Sequence, residues 1–130
     1  LENYTPFDQD EALSVTKTID LLKNHERCFW RDCIPTGHLT GSAFLFNKTL
    51  DKVLLTHHAF FNRWLQFGGH SDGDENTFNV AMRECIEESG IKNIKAITHD
   101  IFDVDVHPIP ANPKKMKRLI ITLIFVFYSI

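Results

Sequence analysis

The chain has 130 residues, with 14 basic and 17 acidic side chains giving a formal charge of −3, and 43% of its residues are apolar. That length suits one domain with a real core and is short for two, and 24% charged with 12% aromatic residues excludes disordered, collagen-like and low-complexity classes. A pI near 6.1 argues against a protein whose task is gripping a nucleic acid polymer by its phosphates.

Cys28, Cys33 and Cys85 are too few for a disulfide framework and read as reduced thiols in the cytoplasm. The acidic, polar start from Leu1 to Glu11 is the opposite of a signal peptide. The apolar stretch Leu119 to Ile130 is too short for a membrane span, which needs about 20 helical residues. Its β-branched and aromatic content predicts a buried strand and no membrane association.

In chain order, the spacing of Ala12, Val15, Ile19 and Leu22 predicts an amphipathic helix over Asp10 to Cys28, capped by Asp8 or Asp10. Gly41 to Phe46 and Lys52 to His57 read as a hairpin closed by the five-residue loop Asn47 to Asp51. A third strand, Arg63 to Phe67, ends at Gly68-Gly69. After the polar loop His70 to Glu75, Asn76 to Ser89 is the strongest helix, stopped by Gly90. Strands follow at Ile94 to Thr98 and Ile101 to Val106, then Pro108, Pro110 and Pro113 break the chain before the apolar tail. Strands interleaved with two helices make an α/β domain with a mixed sheet flanked by helices, with no linker to divide residues 1–130.

The second helix places Phe78, Ala81, Met82 and Cys85 on one side and Glu84, Glu87 and Glu88 roughly opposite. Neighbouring carboxylates repel, and a solvated acidic face is the commoner explanation for three glutamates alone. They become favourable around a hard divalent cation, since Mg²⁺ and Mn²⁺ prefer oxygen ligands. The wider spacing decides between these. Gly69, five residues, Glu75, seven residues, then Arg83-Glu84-Cys85-Ile86-Glu87-Glu88-Ser89-Gly90-Ile91 fills every defining position of the Nudix box, with Cys85 the loosest fit. Chance agreement at its fixed positions is roughly 10⁻⁸ per starting point from average residue usage.

The chain therefore resembles the Nudix hydrolases, over most of its length. The resemblance implies an α/β/α sandwich and Mg²⁺- or Mn²⁺-dependent hydrolysis of a diphosphate bond in a nucleoside diphosphate linked to another moiety. It implies that Glu84, Glu87, Glu88 and the Gly69 carbonyl hold the metal. Glu84 would act as the base or orient the attacking water, although a carboxylate from a later loop could be the base instead. Arg83 would orient the glutamates through a bidentate contact. Glu75 would support the metal shell or close the loop on the helix; as a plain helix N-terminal charge it is equally well explained. Gly68 and Gly69 would allow close backbone approach and an unusual turn.

Weaker candidates are Trp64, Phe60 and Phe61, which could stack on a base but serve as well in a core. Asp103, Asp105 and His107 alternate along a strand, where a substrate contact or further metal ligand competes with a solvated face. Phe67 stands where many relatives have proline, and the tail departs further. After an Asp-x-Asp-x-His-Pro-Ile-Pro stretch, the resemblance implies a strand His-x-His-x-Asp-x-Arg, absent here after Arg118. Codons for Leu119 to Val126 can be written that, read out of phase, give His-Tyr-His-Phe-Asp-Ile-Arg, so a shifted reading frame near Lys114 would explain an altered C-terminal region. Two alternatives to the hydrolase stand beside it: a nucleotide-binding module catalytically impaired by its altered tail, or a diphosphate isomerase on the same fold. An apolar terminal strand on a truncated sheet can also favour pairing of chains, a homodimer being one outcome.

Overall fold

The computed structural model describes residues 1, 3–30, 37–59, 62–108 and 119–129. Helix α1 (Gln9–Asn24) is followed by strands β1 (His38–Phe46), β2 (Val53–Leu54), β3 (Thr56–His58), β4 (Arg63–Leu65) and β5 (Phe67–His70). Then come helix α2 (Thr77–Ser89) and strands β6 (Ile94–Ala96), β7 (Asp103–Pro108) and β8 (Leu119–Ser129). The expected mixed sheet with two helices is present.

Asp8 caps α1, its carboxylate accepting from the Glu11 N–H at 2.8 Å. The helix ends at Asn24, short of Cys28, where His25 turns extended and donates its N–H to the Leu21 carbonyl. Its buried face is Glu11, Val15, Thr18 and Leu21, so the expected stripe is rotated and Leu22 lies exposed. A glutamate can take a buried position here because Tyr4 Oη (2.9 Å) and the Phe7 N–H (2.6 Å) both donate to it.

The apolar tail forms the centre of the sheet. β8 runs parallel to β1 from His38↔Ile120 to Phe46↔Tyr128, and on its other edge pairs antiparallel with β7 and β6. Both edges are thus used within the chain, which removes the ground for pairing with a second copy through this strand. Ile121, Leu123, Phe125 and Phe127 join Leu39, Ala43, Leu45, Ala81 and Cys85 in the core. Each large side chain buried there contributes about 1.5–3 kcal/mol. Among the described residues no helix is long and apolar enough to cross a membrane.

The expected hairpin divides. Asn47 folds the loop by accepting the N–H groups of Asp51 and Lys52 on its side-chain oxygen at 3.0 Å. The returning strand breaks at Leu55, so β2 pairs with β1 while β3 pairs with β4 as a separate ribbon. The third strand breaks at Gln66, and Gly68-Gly69 lie inside β5 instead of ending it, paired with Ser42 and Gly41. Phe67 begins β5 as one of the largest fully buried side chains. The two later strands are also displaced, with β6 shorter than expected and β7 beginning at Asp103. Cys28 and Cys85 are free and buried; Cys33, Phe60, Phe61 and the basic run Lys114 to Arg118 lie outside the described residues.

Candidate active site

Asn76 caps α2 by accepting the Asn79 N–H at 3.1 Å, and Gly90 ends it in the left-handed region at φ 74°. Thr77, Val80, Ala81 and Cys85 face inward. Burial, then the charge of Glu88, pushes the Cys85 thiol up to about 12, so it packs as a neutral apolar group.

Two glycines facing each other across β1 and β5 set the position of this helix. A Cβ on Gly41 would lie 2.7 Å from the Thr77 carbonyl oxygen and 2.9 Å from the Ala81 nitrogen, so glycine lets the helix backbone touch the strand. A Cβ on its partner Gly69 would lie 2.5 Å from Glu84 Cδ. What Gly69 supplies is therefore space in an extended strand, since its φ is not positive and no unusual turn occurs there.

One turn along, Glu88 accepts the Gly68 N–H at 3.2 Å. Its carboxyl is held above the usual range, first by desolvation and then by the charge of and hydrogen bond with Glu84; the Gly68 N–H and the charge of His58 pull it down. Glu87 is exposed, and its side chain makes no hydrogen bond or ion pair among the described residues. Arg83 donates to the His70 carbonyl at 3.2 Å and reaches Glu84 Oε1 at 3.5 Å. It ties the helix to β5 by one nitrogen instead of making the expected two-pronged contact.

Residues distant in sequence brace the end of β5 and the loop that leads into α2. His38 Nε2 and His70 Nδ1 lie 3.0 Å apart. Ser71 Oγ donates to the Leu39 carbonyl at 2.9 Å, and the Gly73 N–H to the Phe29 carbonyl at 2.9 Å. Gly73, at φ 88°, packs on the Trp30 indole, over which Arg27 lies 5.5 Å from the ring centre. Sequence reasoning missed this bracing because no local pattern marks it. Glu75 is exposed just before the cap, its side chain free of hydrogen bonds and ion pairs among the described residues.

The weaker candidates lie elsewhere. Trp64 is 68% exposed and packs edge-on against His57, ring centres 5.1 Å apart. Asp105 and His107 pair at 2.8 Å on β7. Asp103 shares a hydrogen bond with Glu11, beside a cavity of about 520 Å³ lined by Phe7, Asp10, Phe102 and Asp105 among others.

No three His, Cys, Asp or Glu side chains among the described residues already converge as a metal cage. Glu84 and Glu88 do converge, and two adjoining carboxylates cannot both stay ionised cheaply without a proton or a cation between them. Hard oxygen donors with a free carboxylate at Glu87 suit Mg²⁺, which keeps several waters and needs few protein ligands.

The NUDIX domain family profile matches residues 36–127. No curated protein matches the chain. Among solved structures, the Ap4A hydrolase of C. elegans is similar in chain path, with 18% identity, 70% of this chain and 68% of that chain covered, and a TM-score of 0.48. With the family profile covering more than half of its length and every box position filled, the chain belongs to the Nudix family and is a Nudix-type pyrophosphohydrolase.

Proposed function

We propose that the protein is a metal-dependent hydrolase that cleaves a diphosphate bond in a nucleoside diphosphate linked to another moiety. The observation that carries this reading is the convergence of Glu84 and Glu88 on the Gly68-Gly69 backbone, with Glu87 free on the same helix. Glu84, Glu87, Glu88 and the Gly69 carbonyl would hold Mg²⁺ or Mn²⁺. The bound ion would neutralise phosphate charge and favour ionisation of a water.

The chain's own groups do the rest. Glu84, set against β5 and half-buried, orients the attacking water or takes its proton. Arg83 is a positioning residue, fixing Glu84 relative to the His70 carbonyl. Glu75, exposed beside the helix start, would support the metal shell once the ion is bound. Residues 1–130 act as one domain, working in the cytoplasm with reduced thiols.

The test is a screen of sugar nucleotides, dinucleotides and nucleoside triphosphates with Mg²⁺ or Mn²⁺, read as nucleoside monophosphate or phosphate released. Metal-dependent products lost in Glu84→Gln and Glu88→Gln are expected. Equal turnover by the intact protein and both variants would overturn the metal site, and metal-dependent nucleotide binding without products would favour the binding module.

A further inference from the structure

The chain between β5 and α2 turns on Asp72 and Gly73. Both have positive φ, 46° and 88°, and the Asp74 N–H closes the turn on the Ser71 carbonyl at 3.0 Å. An Asp-Gly pair accepts two such values in succession, but a non-glycine residue there persists only where its surroundings fix it.

The turn lies beyond the end of β5 at His70 and ahead of α2 at Thr77. Contacts from the chain before β1, and from β1 itself, fix it. The Gly73 N–H donates to the Phe29 carbonyl at 2.9 Å, and Ser71 Oγ donates to the Leu39 carbonyl at 2.9 Å. A Cβ on Gly73 would run into the Trp30 ring, 2.8 Å from Cε2 and Cη2, so the indole touches the glycine backbone. The ring is itself held, by the Trp30 N–H on the Arg27 carbonyl at 2.9 Å and by the Arg27 guanidinium above it. At 44% exposed, Trp30 is not a core residue, and what it covers includes the turn.

Both ends of the turn lead to the acidic helix. At one end the His70 carbonyl accepts from Arg83, whose guanidinium also reaches Glu84. His70 follows Gly69, against which the Glu84 carboxylate sits. At the other end Asp74 Oδ1 accepts the Asn76 N–H at 2.9 Å, and Asn76 caps α2. A displaced turn therefore disturbs the Arg83 contact and the helix start together, while Val80, Ala81 and Cys85 still pack inward. Ligands for one ion tolerate such misplacement poorly.

We infer that Trp30 is a positioning residue for the reaction: packed on Gly73, its indole holds the Ser71–Asp74 turn and so sets the Glu84 carboxylate relative to the Gly69 carbonyl. This rests on the function proposed above and adds to its site a residue from outside the box.

The test compares Trp30→Ala and Trp30→Phe with Val15→Ala, which removes buried apolar surface on α1. Melting temperature reads stability, and electron paramagnetic resonance reads Mn²⁺ affinity. Values of kcat and KM are taken on whichever nucleotide the wild type turns over. Trp30→Ala should lower kcat roughly ten- to hundredfold with little change in KM. Its Mn²⁺ affinity should fall by about tenfold or more. Trp30→Phe, which keeps a flat ring on the glycine, should recover part of both. Val15→Ala should melt lower yet keep the wild-type kcat and Mn²⁺ affinity. If Trp30→Ala does not fold, Trp30→Leu, with apolar bulk but no flat ring, is judged by the same readings. A hydrolysing wild type whose folded Trp30 variant keeps kcat and Mn²⁺ affinity, or loses no more of them than Val15→Ala does, overturns the role of Trp30 and leaves the hydrolase standing. A wild type that binds no Mn²⁺ and releases no product overturns both.

Discussion

The carboxyl group of Glu84 occupies the space that a side chain on Gly69 would need, with both of its oxygens 2.7 Å from where that Cβ would sit. Gly41, directly across the strand pair, is filled in the same way by the backbone of the helix that carries Glu84. One glycine sets how closely the helix approaches the sheet, and the other admits the Glu84 carboxylate.

The two glycines should separate on substitution. Gly69→Ala meets only the end of a flexible side chain, so the fold should lose less than about 1 kcal/mol. Turnover should fall roughly a hundredfold, because displacing a reacting group by about 1 Å costs that much. Gly41→Ala meets backbone and should cost about 1–3 kcal/mol or more. Denaturant titration beside initial rates checks both; a Gly69→Ala enzyme with unchanged rates would contradict the role given to Glu84.

Glu88→Gln should trade activity for stability. Turnover should drop beyond the roughly 10–100-fold typical of lost outer-shell partners, since the proposed metal site would lose a ligand itself. The raised Glu88 pKa means that the native state holds a proton longer than the unfolded chain does. Stability therefore falls as pH rises from the usual carboxylate range through the raised value, and the amide removes that loss. In metal-free buffer near neutral pH the variant should melt above the wild type, and Mg²⁺ should raise the melting temperature of the wild type more. Thermal scans with and without Mg²⁺ decide.

The Glu11–Asp103 pair should leave a mark on the pH dependence of stability. Desolvation, then the hydrogen bond and charge of Glu11, push Asp103 from 3.8 up to about 6. Desolvation also acts to raise Glu11, but hydrogen bonds from Asp103, the Phe7 N–H, Tyr4 and the Val104 N–H outweigh it, and its pKa is lowered. The contribution of Asp103 is complete below its unfolded value and is lost as pH rises through about 6; that of Glu11 is lost as pH falls through its depressed value. The singly protonated pair is thus the stable form. Asp103→Asn should flatten the decline in stability between about pH 4 and 6. An unchanged slope in equilibrium unfolding would sink this account.

Phe127→Ala should cost about 3–5 kcal/mol, because the ring is fully buried in the central strand and packs edge-on against Phe78 of α2. The measurement is equilibrium unfolding; a loss within 1 kcal/mol, the ~scale of surface substitutions, would mean that the tail is not the core strand described.

The segment Gly69 to Ile91 was legible because its information is local. It holds six acidic residues (Asp72, Asp74, Glu75, Glu84, Glu87 and Glu88) against Arg83 alone, so the chain's net −3 is a concentrated acidic segment on a slightly basic remainder. Helix α2, its cap at Asn76 and its stop at Gly90 follow from residues a few positions apart. The strand character of the tail was equally readable from its composition.

Contacts between distant positions were not readable in this way. His38 and His70 are 32 residues apart, and Tyr4 reaches the Phe102 carbonyl across 98. The buried side of α1 was misjudged at Glu11 because a carboxylate looks solvent-facing until Tyr4, Phe7 and Asp103 are seen to satisfy it. The hairpin was misread at Leu55 because a break between two ribbons depends on which strands are available to pair.

By itself, then, the sequence determined the family, the acidic helix and the kinds of group it carries, since these depend on spacing along one element. Only the tertiary structure decided that the tail lies between β1 and the pair β6 and β7, that Gly41 and Gly69 face one another, and that β3 and β4 pair as a separate ribbon. Side-chain periodicity limits which residues can share a face, but strand pairing chooses the partner, and that choice is made by the burial of the whole chain.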